Sequence, residues 1–62
     1  MRHPFQVGDL VRLRKKPSYL ALVTKTHKRQ EGFYVDVAWS RSGKEGLFYS
    51  VQRFTLVSGA EQ

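Results

Sequence analysis

Phe33, Val35, Val37 and Trp39 alternate with Tyr34, Asp36 and Ala38. A repeat of two residues is that of an extended strand with one face in a core. Leu10 to Arg14 carries the same pattern, Val11 and Leu13 facing inward and Arg12 and Arg14 outward. Glycine and proline punctuate the chain at short intervals, which divides it into short strands joined by turns. The predicted fold class is therefore all-β.

Five strands are expected. The first, Leu10 to Arg14, follows a Gly8-Asp9 turn, and Lys15 to Tyr19 is a loop because Pro17 cannot donate into a ladder. Leu20 to His27 is the second strand. Ala21 and Val23 point one way there and Leu22, Thr24 and Thr26 the other, so a bulge is expected to let both sets contribute. Lys28 to Gly32 reads as a hairpin loop, and Phe33 to Trp39 as the third and central strand. Ser40 to Gly43 is a tight turn with Gly43 available for positive φ. Lys44 to Tyr49 forms the fourth strand, Ser50 to Arg53 a single 3₁₀ turn, and Phe54 to Val57 the closing strand. Trp39, Phe33 and Phe54 read as core from their phase with Val35, Val37 and Val57.

Sixty-two residues make one domain, 1 to 62, with a core from about 5 to 58 and a frayed tail over 59 to 62. A chain of this size buries only about 60% of the surface it exposes when unfolded. Eight aromatic residues supply the large buried area per side chain that so small a core requires. The absence of cysteine removes disulfides and thiolate metal sites and fits a reducing compartment, so a cytoplasmic location is expected. No apolar leader and no apolar run of about 18 residues is present, which argues against a membrane partner. A monomer or a small homo-oligomer is expected.

Charge is distributed unevenly. Residues 1 to 30 hold eight of the eleven Lys and Arg against Asp9 alone, while residues 31 to 62 hold three cations and four carboxylates. Leu10 to Gln30 carries Arg12, Arg14, Lys15, Lys16, Lys25, Lys28 and Arg29 without one acid. Such a field favours a polyanionic partner, DNA or RNA first. The bland reading of the same residues is a solvated cationic face that keeps a small domain soluble.

The layout from Val7-Gly8-Asp9-Leu10-Val11-Arg12 to Tyr49-Ser50-Val51-Gln52-Arg53-Phe54, with Val35 to Trp39 followed by a turn ending in Gly43, resembles the SH3-like barrels of the KOW and Tudor type. That resemblance implies a small five-stranded barrel with a 3₁₀ turn before its last strand. It says little about chemistry, because such barrels bind RNA, DNA, peptides or other proteins. The stretch Val11 to Val23 also looks like the plasmid-type dihydrofolate reductases, tetramers of SH3-like barrels around a pore. Their Val-Gln-Ile-Tyr motif falls here on Glu45 or Gly46 through Leu47, Phe48 and Tyr49, which keeps the Tyr and lacks the Gln, and their strand-two Trp and Gly are Tyr19 and Ala21. The resemblance therefore carries the fold across, and not the activity.

The candidate site is a nucleic-acid-binding surface built from Arg12, Arg14, Lys15, Lys16, Lys25, Lys28 and Arg29, with Tyr19 as the stacking ring. Pairing of the first two strands would bring these cations to one side, with phosphates held by charge and bases by Tyr19. Tyr34, Phe48 and Tyr49 are further candidate platforms. Asp9, Glu31, Asp36, Glu45 and Glu61 are scattered, with Asp36 expected in a cross-strand ion pair; His3 and His27 lack ligand partners. No catalytic residue, metal or cofactor is expected. The second function class considered is a protein-interaction or assembly module, such as a phage or host accessory factor, that binds an acidic protein surface or peptide.

Overall fold

The structure, a computed structural model, describes residues 3–59; residues 60 to 62 of the expected tail lie outside them. Five antiparallel strands form one sheet in the order β4-β3-β2-β1-β5. They are β1 (Leu10–Leu13), β2 (Leu20–Arg29), β3 (Gly32–Trp39), β4 (Glu45–Ser50) and β5 (Phe54–Ser58), with a 3₁₀ turn at Val51–Arg53. The turn is capped by Ser50, whose hydroxyl accepts from the Gln52 N–H at 3.3 Å. This is the all-β architecture expected from the alternation, including the 3₁₀ turn ahead of the last strand. Among the described residues no ladder joins β4 to β5, so the sheet is not closed into a hydrogen-bonded barrel; the 3₁₀ turn bridges its two edges. No helix in this region is long and apolar enough to cross a membrane.

Val57, read in phase with the core, is instead 45% exposed on β5, and three further details depart from the sequence reading. β2 runs on through Lys28 and Arg29, which pair with Phe33 and Gly32, so the hairpin loop shrinks to Gln30 and Glu31. A two-residue connection is the shortest that antiparallel strands accept, and long cations are tolerated on a strand whose outer face is solvated. The middle of the sheet is β2 rather than β3. Phe33 is only half-buried, resting edge-on against the His3 ring at 5.0 Å, because it sits where the chain has just left the exposed hairpin.

The core is made of Val11, Ala21, Val23, Val35 and Val37, all essentially inaccessible, with Phe5 and Phe54 filling the space between them. Each buried valine contributes about 1.5–3 kcal/mol relative to an exposed one. Leu13, Trp39, Tyr49 and Val51 pack on this nucleus from its margin. Phe5 is held by two anchors. His3 Nδ1 accepts from the Phe5 N–H at 3.1 Å, which leaves Nε2 to donate to the Tyr34 carbonyl at 3.0 Å. The expected Gly8-Asp9 turn also forms: Gly8 takes φ 96°, and the buried Asp9 carboxylate accepts from the Gln6 N–H at 2.8 Å.

Besides a register shift between β1 and β5, where Leu10 pairs with Ser58 and Val11 with Leu56, two bulges shape the sheet. One lies on β2 between Val23 and Lys25, where a bulge was expected. The other lies on β4, where Leu47 and Phe48 together face Asp36, since Val35 pairs with Tyr49 and Val37 with Gly46. Phe48 takes φ 53° there, a left-handed conformation costing an L-residue roughly 1–2 kcal/mol. Asp36 offsets part of that cost by accepting the Phe48 N–H at 3.0 Å, and its same oxygen accepts from His27 Nε2 at 2.9 Å. Where a cross-strand cation was expected beside Asp36, its nearest partner is the His27 imidazole, held by that hydrogen bond. Partial burial pushes the Asp36 carboxyl up. The Phe48 N–H, the His27 hydrogen bond and charge, and the Lys25 charge outweigh this and hold it below the usual carboxylate value. Because the strain belongs to the backbone, Phe48→Gly should be more stable than Phe48→Ala by about 1 kcal/mol in urea melts. Equal stabilities would contradict the strained bulge.

Candidate functional site

Antiparallel connectivity decides which loops can meet. The β1–β2 loop and the β3–β4 loop both emerge where β2 begins, since Arg12 pairs with Leu20 and Trp39 with Ala21. Backbone bonds tie that end together: Tyr19 donates to Lys16 across the Pro17 turn at 2.9 Å, and Ser40 donates to Leu20 at 2.9 Å. Pro17 suits the second position of such a turn because its φ is fixed. The 3₁₀ turn docks on the same end through Arg14 N–H to the Arg53 carbonyl at 2.9 Å, while Arg14 Nε donates to the Phe54 carbonyl at 3.3 Å. Gly43 closes the β3–β4 loop with φ 73°, as expected for that turn.

Between these segments lies an open groove of about 990 Å³. Its aromatic floor is Tyr19, Trp39 and Tyr49, with Leu13 and Leu20 beside them. Trp39 stands 6.4 Å from Tyr19 at 82° and 5.7 Å from Tyr49 at 81°, two edge-to-face contacts in series. Phe54, in the core, lies 6.0 Å from Trp39 and 5.9 Å from Tyr49, which roots the floor in the interior. The rim is cationic: Arg14, Lys15 and Lys16 from the first loop, Arg41 from the loop after β3, and Arg53 from the 3₁₀ turn. Lys16 Nζ lies 5.5 Å from the Tyr19 ring centre, and Arg53 Cζ 5.8 Å from that of Tyr49. Among the described residues no Asp or Glu lines the groove.

The predicted site therefore divides. Arg14, Lys15, Lys16 and Tyr19 come together, with Tyr19 44% exposed and its ring available. Arg12 alternates outward from Val11 and Leu13 and does not line the groove. Lys25, Lys28 and Arg29 belong to the far part of β2, and the expected convergence of both cation groups on one side does not occur. Successive hairpin loops leave a strand at opposite ends. At about 3.3 Å per residue, the ten residues of β2 set the two loops roughly 30 Å apart along the strand.

That far end has its own cluster. Phe48, 46% exposed, stacks on His27 at 4.2 Å, with the Arg29 guanidinium 4.9 Å from its centre and Tyr34 at 6.2 Å. Tyr34 and Phe48, candidate platforms in the sequence, are thus engaged away from the groove. Among the described residues no three His, Cys, Asp or Glu side chains gather as metal ligands.

Trp39, Arg41 and Arg53 were not among the site residues the sequence suggested. Arg41 was legible: the loop after the third strand of a meander shares an end with the loop after the first. Arg53 was not, because its place depends on how the 3₁₀ turn crosses from one sheet edge to the other. Gly46 is a further hidden contributor. A side-chain carbon at this buried position would collide with the Tyr49 ring and come within 3.1 Å of Trp39 Nε1. Gly46→Ala should therefore cost about 1–3 kcal/mol and shift the Trp39 emission, because the rings must move to admit the methyl. Unchanged stability and emission would mean that Gly46 does not set the floor.

Comparison of the chain with protein-family models, curated proteins and solved structures finds no match. The functional reading accordingly stands on the groove itself.

Proposed function

We propose that this protein is a non-catalytic nucleic-acid-binding module that holds its ligand in the groove between the β1–β2 loop, the β3–β4 loop and the 3₁₀ turn. One observation carries the reading: five cations surround three aromatic rings with no carboxylate among the lining residues. Cations alone would serve solubility, and rings alone would serve the core. Their combination in one concave site is what a ligand made of alternating phosphates and flat bases requires. Arg14, Lys15, Lys16, Arg41 and Arg53 take phosphates, while Tyr19, Trp39 and Tyr49 offer ring surface. Phosphate contacts carry no sequence information, so sequence specificity is low. The +6 net charge adds long-range attraction to any polyanion, and the cysteine-free chain suits a reducing cytoplasm.

Engaging four or five phosphates gives a slope of log affinity against log salt near −3 to −4. Reversing both Lys15 and Lys16 to Glu should flatten that slope by about 2, whereas Lys28→Glu with Arg29→Glu should leave it near the parent value. Equal losses from the two pairs would place binding outside the groove. The second reading, a module for an acidic protein surface, draws on the exposed Phe48 ring beside Arg29. Its signature is co-purification of one protein that survives nuclease, combined with no oligonucleotide binding at ~50 mM salt.

A further inference from the structure

We infer that the groove takes single-stranded nucleic acid in preference to duplex, one base lying on Tyr19 and its neighbour against Trp39 and Tyr49. This rests on the nucleic-acid reading and sharpens it. In a duplex each base face is covered by the pairs above and below, so a protein meets only phosphates, sugars and base edges. A ring platform is of use only to a base that has left the stack.

Of the rings lining the concavity Trp39 and Tyr49 are half-buried and Tyr19 is more exposed, while all five lining cations are exposed. A paired helix resting on the rim would reach the charges and leave the floor unused. An unpaired strand can lower its bases between the loops while its phosphates stay at the rim. The spacing of the parts fits this arrangement. Tyr19 and Tyr49 flank the Trp39 indole at 6.4 and 5.7 Å, and each tyrosine has its own cation, Lys16 for the first and Arg53 for the second. Each cation lies over its ring, so a base that takes the ring face moves the cation out to the neighbouring phosphate, and the groove presents that unit twice. Among the described residues the one helical segment is the three-residue 3₁₀ turn, too short to enter a major groove, and the β2–β3 ribbon, the other kind of element that groove admits, ends at Lys28 and Arg29, away from these rings.

The test is a titration of the whole chain at ~50 mM salt with oligonucleotides of about 12 nucleotides and one sequence, as single-stranded DNA, single-stranded RNA and duplex DNA. Trp39 is the chain's single tryptophan, so its emission reports directly from the groove. The expected result is that a single strand binds at least about tenfold tighter than the duplex and quenches Trp39. Tyr19→Ala should weaken single-strand binding roughly tenfold and leave duplex binding unchanged, and Tyr19→Phe should restore it. Duplex binding as tight as single-strand binding, or a Tyr19→Ala variant that binds a single strand like the parent, overturns the single-strand inference while the nucleic-acid reading stands. Failure of all three oligonucleotides to bind overturns both. The strand preference is read on the unmutated chain, so a folding defect in Tyr19→Ala does not decide it.

Discussion

Everything in this molecule hangs on the packing of five small inward side chains, Val11, Ala21, Val23, Val35 and Val37, beneath Phe5 and Phe54. Because those inward residues are small and mostly β-branched, they suit a pleated surface and leave the strands free to coil closely. Coiling brings the two sheet edges near enough for three residues of 3₁₀ turn to bridge them. The bridge places Arg53 against the backbone of Arg14 and sets Tyr49 beside Trp39. The site is thus a consequence of the core. Its floor is the core's own margin, where Phe54 touches both Trp39 and Tyr49.

The same economy explains how charge is handled. A domain with this many cations would weaken itself by self-repulsion if they crowded together. Topology spreads them, sending Lys28 and Arg29 to one end of β2 and the groove cations to the other, with Lys25 midway along the strand. At the hairpin end, aromatic contacts and the His27–Asp36 pair occupy the space around Arg29. At the groove end Lys16 and Arg53 lie over rings instead of against carboxylates, so their charge remains available to a ligand.

Much of the fold was legible because its causes are local. Alternation marked Val11, Val35 and Val37 as inward, Pro17 and Gly43 marked turns, and the conflict between the two faces of Leu20 to His27 marked the β2 bulge. What stayed hidden depends on contacts between distant residues. Phe5 precedes any strand, and its place in the core goes with hydrogen bonds from its own N–H to His3 and from His3 to Tyr34. The β4 bulge needs the Asp36 carboxylate across the sheet to hold Phe48 in its left-handed conformation. For the site, the first-loop residues Arg14, Lys15, Lys16 and Tyr19 were readable from composition beside Pro17. The remaining cations of the basic block, Arg12, Lys25, Lys28 and Arg29, do not line the groove, since a run of charge in sequence ignores that each hairpin reverses the chain.

The central claim is that ligand binding belongs to one end of the sheet. The most direct measurement is a map of backbone amide shifts in the ¹⁵N-labelled chain on titration with a single-stranded oligonucleotide. The account predicts shifts confined to residues 13 to 20, 39 to 43 and 49 to 53, with the hairpin around Gln30 and the Phe48 bulge unmoved. Shifts centred on Lys25 to Gly32 and Phe48, with the groove silent, would contradict it.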